Sequence, residues 1–170
     1  MKKKLALILT AVMTLSAVPV YAGVPAAPTA SKVTVNGAPK AFEAYNINSN
    51  NYFKLRDIAY VLNGTDASFS VGWDGAANSI ALVKGEAYAP TGSEMKVSDT
   101  KDIKDAVEST SAILIDGQKA ALKAYTIKGN NYFKLRDLGT ALGFDVGWDN
   151  ASQTISIRSS FHRKTASAGV

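Results

Sequence analysis

The chain has 170 residues, a formal net charge of +5, no cysteine and one histidine. The missing cysteine excludes thiol catalysis, thiolate metal sites and disulfide exchange, and a lone His162 in a polar tail leaves almost nothing for copper, zinc or a Ser-His-Asp triad. The basic excess sits at the ends, in Lys2-Lys3-Lys4 and in Arg158, Arg163 and Lys164, so the middle lacks the basic patch that a nucleic-acid-binding domain carries.

Residues 1–22 read as a secretory signal peptide. Lys2-Lys3-Lys4 is a basic start, Leu5 to Leu15 an apolar run, and Val20-Tyr21-Ala22 a small-residue cleavage pattern. The apolar run is shorter than the roughly 20 residues of a membrane helix. The expectation is therefore a secreted or extracellular protein, with association to the cell wall left open, and with no stable membrane span once the signal is cleaved. A mature chain of this size can bury enough apolar surface to fold without disulfides.

Residues 23–31, rich in Pro, Ala, Thr and Ser, are expected to be a flexible lead-in. From residue 32 the chain repeats itself. Val35 to Asp57 aligns on Ile115 to Asp137 at an offset of 80 with 13 of 23 positions identical, and Asn50-Asn51-Tyr52-Phe53-Lys54-Leu55-Arg56-Asp57 returns unchanged as Asn130 to Asp137. Lys32-Val33-Thr34-Val35 alternates as a strand and stops at Asn36-Gly37; Ala112-Ile113-Leu114-Ile115 stops at Asp116-Gly117. Both pairs tolerate positive φ and mark tight hairpins. Return strands follow through residues 41–47 and 120–127. A second turn then leads through Tyr52-Phe53 or Tyr132-Phe133 into a helix.

Leu55, Ile58, Ala59 and Leu62 fall at i, i+3, i+4 and i+7, as do Leu135, Leu138, Gly139 and Leu142, giving each short helix one apolar face. Gly64 and Gly143 lie where a left-handed cap is expected. Strands are predicted at Phe69 to Trp73 and Phe144 to Trp148. They turn at Asp74 to Asn78 and Asp149 to Gln153, and return through residues 79–83 and 154–158. The strings Val71-Gly72-Trp73-Asp74 and Val146-Gly147-Trp148-Asp149 recur at an offset of 75, so the first copy holds five extra residues. The predicted fold class is α+β: two β-β-α-β-β pseudo-repeats, residues 32–84 and 112–158, each an antiparallel sheet twisted around a short helix. Units this small are marginal alone, so they are expected to share a core or pack together. Residues 85–111 are expected to be a solvated connector, with room for one helical turn near Ile103 and Val107, and residues 159–170 a tail.

These strings, together with Val35-Asn36-Gly37 and Val71 to Asn78, resemble the copper amine oxidase N-terminal-like domain, or stalk domain, of exported Gram-positive bacterial proteins. The resemblance covers residues 32–158. Where many members have Val-Pro-Leu-Arg before the helix, this chain has Phe-Lys-Leu-Arg. What it implies is an antiparallel sheet twisted around a helix and a peripheral module without catalysis, because copper and the quinone cofactor belong to a different domain of the oxidases.

No catalytic residue, cofactor or metal is expected. Arg56-Asp57 and Arg136-Asp137 fit helix-start electrostatics, with docking of a partner as the alternative. Asp74, Asp149, Asn78 and Asn150 lack the ligand spacing of a calcium loop and fit turn chemistry. Trp73 and Trp148 are expected to pack on a small core, with stacking against sugars as the alternative. For Tyr45, Tyr52, Tyr125 and Tyr132, an exposed aromatic strip and a buried position both stay open. The functional expectation is a secreted non-catalytic module that mediates protein or envelope interaction, its partner a cell-envelope protein or polysaccharide and not nucleic acid. A carbohydrate- or peptidoglycan-binding module and a cryptic hydrolase are the alternatives.

Overall fold

The structure is a computed structural model that describes residues 23–98 and 101–159. Residues 1–22, the expected signal peptide, and residues 160–170, with His162, lie outside the described residues. The fold is α+β, mostly strand with two short helices among the described residues. The first half runs β1 (Val24–Pro28), β2 (Lys32–Val35), β3 (Ala38–Pro39), β4 (Ala44–Ile47), β5 (Asn50–Lys54), α1 (Leu55–Leu62), β6 (Phe69–Asp74) and β7 (Ser79–Lys84). The second runs β8 (Lys104–Glu108), β9 (Ala112–Ile115), β10 (Gln118–Lys119), β11 (Ala124–Ile127), β12 (Asn130–Lys134), α2 (Leu135–Leu142), β13 (Asp145–Asp149) and β14 (Thr154–Arg158).

The two halves are interlocked. A closed barrel takes its strands in the order β1-β4-β5-β12-β11-β8, every neighbouring pair antiparallel. The identical strings pair with each other across β5 and β12, where Phe53 faces Phe133 and Tyr52 and Lys54 face Lys134 and Tyr132. A pseudo-twofold axis therefore passes between the two phenylalanines. Two four-stranded sheets flank the barrel, β10-β9-β7-β6 and β13-β14-β2-β3, and each contains strands from both halves. The joins are parallel: β7 lies on β9 and β14 on β2.

This arrangement corrects the expectation of one antiparallel sheet around one helix in each repeat. Each hairpin finds its sheet partner in the other half, so neither copy has to close a core alone. The main core draws on both, with Phe53, Leu55, Ile58, Leu62 and Phe69 beside Phe133, Leu135, Leu138, Leu142 and Phe144. Strand alternation sends the remaining side chains of the barrel strands inward: Phe53 joins the main core, and its neighbour Tyr52 joins the barrel interior.

Two further corrections concern segments read as irregular. The lead-in contains β1 and the connector contains β8, adjacent barrel strands paired from Val24 opposite Ala106 to Ala26 opposite Lys104. Neither shows a β pattern, because a single small residue of each is buried, Ala26 in one and Ala106 in the other. The space inside is filled by tyrosines from other strands, and close approach of the backbones does the rest. A Cβ on Gly23 would come within 2.6 Å of the Ala106 carbonyl oxygen. The 80-residue offset does relate Ala26 to Ala106, Thr29 to Ser109 and Ser31 to Ser111. It also relates the hydrogen bonds that Thr29 and Ser109 donate to the Ala44 and Ala124 carbonyls.

The rest of the connector is not free chain either. Tyr88 is buried against α1 in the main core, and its backbone exchanges hydrogen bonds with the Asn63 side chain, 2.9 Å from N to Oδ1 and 3.0 Å from Nδ2 to O. Its hydroxyl donates to Glu94 Oε1 at 2.6 Å and accepts from Arg56. Residues 86–95 thus form a strap over the first helix.

Candidate functional site

The four tyrosines are buried inside the barrel and form no exposed strip. Tyr45 meets Tyr132 edge to face at 5.3 Å, and Tyr52 meets Tyr125 the same way at 5.2 Å, so each aromatic pair joins the two halves. Burial raises the pKa of the Tyr45, Tyr52 and Tyr132 phenols. Closure of the barrel, which hides both faces of β4, β5, β11 and β12, is what removes these residues from the surface.

The tryptophans go the other way. Trp73 is 55% exposed and Trp148 42%, which overturns the expectation of core packing. Trp73 sits across from Ile80 and Trp148 from Ile155, both buried isoleucines. The hairpins run on past the edge of the core, and the indoles continue its apolar face into solvent. Asp74 and Asp149 close these hairpins: Asp74 Oδ1 accepts from the backbone of Ala76 and Ala77, and Asp149 Oδ1 from that of Ala151 and Ser152. Those bonds hold the Asp149 carboxyl below its usual range.

Beside each indole lies a cavity made by both copies of the repeated string. The larger, about 440 Å³, is lined by Asn50 and Asn51 of the first copy, by Lys134, Leu135 and Arg136 of the second, by Gly147 and Trp148, and by Pro28 to Ser31. The other, about 300 Å³, has the reciprocal lining: Asn130 and Asn131 with Lys54, Leu55, Arg56, Gly72 and Trp73. Both volumes lie in the lower part of the range of small-ligand sites, about 300–1,000 Å³. The Asn-Asn end of each string faces the Lys-Leu-Arg end of the other because the strings are antiparallel neighbours.

The asparagines are set alike in both cavities. Asn51 Oδ1 accepts from Thr29 Oγ1 at 3.1 Å, and Asn131 Oδ1 from Thr126 Oγ1 at 3.3 Å, which leaves each NH2 as the group on offer. Asn50 and Asn130 donate their NH2 to the carbonyls of Asn48 and Lys128, leaving each Oδ1 as an acceptor. Sequence reading singled out the tryptophans but missed the asparagines as wall residues. The signal was their identity in both copies, and only the trans pairing of the strings gives it a location.

The cations differ between the cavities. Lys134 pairs with Asp137 at 3.4 Å and Lys54 with buried Asp57 at 3.6 Å. Arg56 is engaged by the Tyr88 hydroxyl, whereas Arg136 is exposed and has no acidic partner among the described residues.

A protein-family model for the copper amine oxidase N-terminal domain matches residues 34–157. The chain belongs to the copper amine oxidase N-terminal domain family. That domain is a non-catalytic part of the oxidases. In this family member no group of three or more His, Cys, Asp or Glu stands close enough to hold a metal ion among the described residues, which as a set do not fit copper. No helix among them is long and apolar enough to cross a membrane. No curated protein and no solved structure matches the chain.

Proposed function

We propose that this chain is an exported, non-catalytic module that attaches to polysaccharide of the cell envelope through the two indole-walled cavities. The observation that carries the reading is the exposure of Trp73 and Trp148 at equivalent positions, each beside a cavity with a fixed amide donor and acceptor. An exposed indole presents a flat apolar face suited to a sugar ring, and flanking amides suit its hydroxyls. Binding by two sites on one molecule raises retention on a polymer without any new contact. The basic, apolar start of the sequence supports export. Neither cavity has an aspartate or glutamate among its lining residues, and glycoside hydrolysis needs two; this speaks against the hydrolase alternative.

The test is retention of the purified mature protein on isolated cell-wall polysaccharide. Trp73→Ala and Trp148→Ala are expected to leave the melting temperature nearly unchanged, since the indoles are exposed, and to lose retention together. Undiminished retention of the double variant would sink the glycan reading and return the tryptophans to a protein interface.

A further inference from the structure

The two cavities are not neutral. Each is walled by one lysine and one arginine and by no acidic residue, although the described chain as a whole carries similar numbers of both signs. In the larger cavity the lysine is already paired with Asp137, so the uncommitted charge is the Arg136 guanidinium, which lines the cavity together with Trp148 and with Asn50 and Asn51 of the neighbouring string. A guanidinium offers a planar fork of donors that matches a carboxylate in two parallel bonds, and the indole offers a stacking face. A ligand that uses both must carry an anion on, or beside, a ring.

We propose that the Arg136–Trp148 cavity is a site for carboxylate-bearing saccharides, such as a hexuronic acid or a sugar with a carboxylate-bearing ether. This rests on the polysaccharide reading above and names the ligand class within it. The carboxylate lies on Arg136, the ring on Trp148, and the hydroxyls on the Asn51 NH2 and the Asn50 Oδ1. The reciprocal Trp73 cavity is the weaker site. It is smaller, about 300 against 440 Å³, and its arginine is held by the strap through Tyr88. The duplicated module thus has one anion-selective cavity and one that stacks rings with less regard for charge.

Calorimetric titration of the whole mature chain tests this with three probes: an oligogalacturonate, its methyl ester with the same rings but no charge, and a muramic-acid-containing disaccharide. The oligogalacturonate is expected to bind at least about tenfold tighter than the ester, because a charge-assisted bidentate bond is lost on esterification. Arg136→Gln is expected to bring the affinities for acid and ester to within about twofold of each other, whereas Arg56→Gln keeps most of the preference. Tighter binding of the muramic sugar than of oligogalacturonate would identify a free carboxylate on an ether branch as the acid, and the reverse a uronate; either supports the proposal. Equal binding of acid and ester, with Arg136→Gln silent, would overturn it and leave the polysaccharide reading standing. No binding of any probe, with wall retention lost as well, would remove both.

Discussion

The two halves share an eight-residue string letter for letter, yet its last residue lives in two different places. Asp57 is fully buried beneath the strap, whereas the side chain of Asp137 is 45% exposed. Asp57 Oδ1 accepts the Met95 backbone N–H at 2.9 Å, while Oδ2 has only Lys54, 3.6 Å away and itself buried. Burial raises the Asp57 pKa. The difference shows that the repeated string specifies the junction of barrel strand and helix, and that the electrostatics of the junction are set by what packs over it. The Glu94-Met95 stretch has no counterpart at α2 among the described residues.

The largest effects should come from breaking this asymmetry at the aspartates. Asp57→Ala strands a buried lysine and a backbone donor, which is expected to cost about 3–5 kcal/mol. Asp137→Ala removes a partly exposed ion pair and is expected to cost less than about 1 kcal/mol. Urea denaturation of the two variants reads the contrast directly. Similar losses would mean that the strap does not seal the first junction in solution.

A second contrast lies inside the helices, where Ala59 and Gly139 occupy equivalent positions. After α2 the chain turns at once through Gly143, in the left-handed conformation at φ +88°, and Phe144 doubles back. Both the Gly143 and Phe144 N–H groups bond the Gly139 carbonyl. A Cβ on Gly139 would lie 2.8 Å from the Phe144 carbonyl oxygen. The first copy spends five more residues on this loop, ending the helix at an extended Asn63 before Gly64 takes positive φ, and tolerates alanine. Gly139→Ala is therefore expected to destabilise by about 1–3 kcal/mol through overpacking, despite a helix-propensity gain of about 1 kcal/mol. Grafting the Asn63–Ser68 loop after Leu142 should turn the same substitution neutral or favourable. If Gly139→Ala stabilises without the graft, the tight loop is not what excludes the methyl group.

Local chemistry was readable wherever a residue's role is local. Asn36-Gly37 and Asp116-Gly117 do turn with positive φ at all four residues, and the helical spacing of Leu55, Ile58 and Leu62 is the buried face. What sequence could not locate depends on partners far along the chain. β1 and β8 are strands because the barrel needs them, not because Val24–Pro28 or Lys104–Glu108 favours one. Tyr52 and Trp73 carry similar hydrophobic weight, and barrel closure alone decides which of them meets water. The cavities were illegible for the same reason. Each needs half of one string and half of the other, 80 positions apart, and no motif scanned along the chain unites them.

The smallest expected effect is on pH, and it separates two carboxyls at the same strap. Burial raises Asp57 above its ordinary value. Desolvation would raise Glu94 too, but hydrogen bonds from Tyr88 and from Thr91 outweigh it and hold Glu94 well below the ordinary carboxylate range. The signs are opposite. A folded-state pKa above the unfolded one means the folded protein binds the proton more readily, so stability rises as pH falls through the Asp57 window, from the raised value down to about 4. A depressed pKa means stability is fully present above the unfolded value and is lost below it, so Glu94 acts from about 4.3 downward. Acidification is thus expected to tighten the strap slightly and then release it. Hydrogen exchange of residues 86–95 against pH measures both limbs, with the amides of α2, over which no strap lies among the described residues, as the reference. Glu94→Gln should remove the acid release and keep the earlier tightening. If both limbs persist in Glu94→Gln, the acid-sensitive contact lies elsewhere, and the strap's hold on α1 comes from Tyr88, Asn63 and the Met95–Asp57 bond rather than from Glu94.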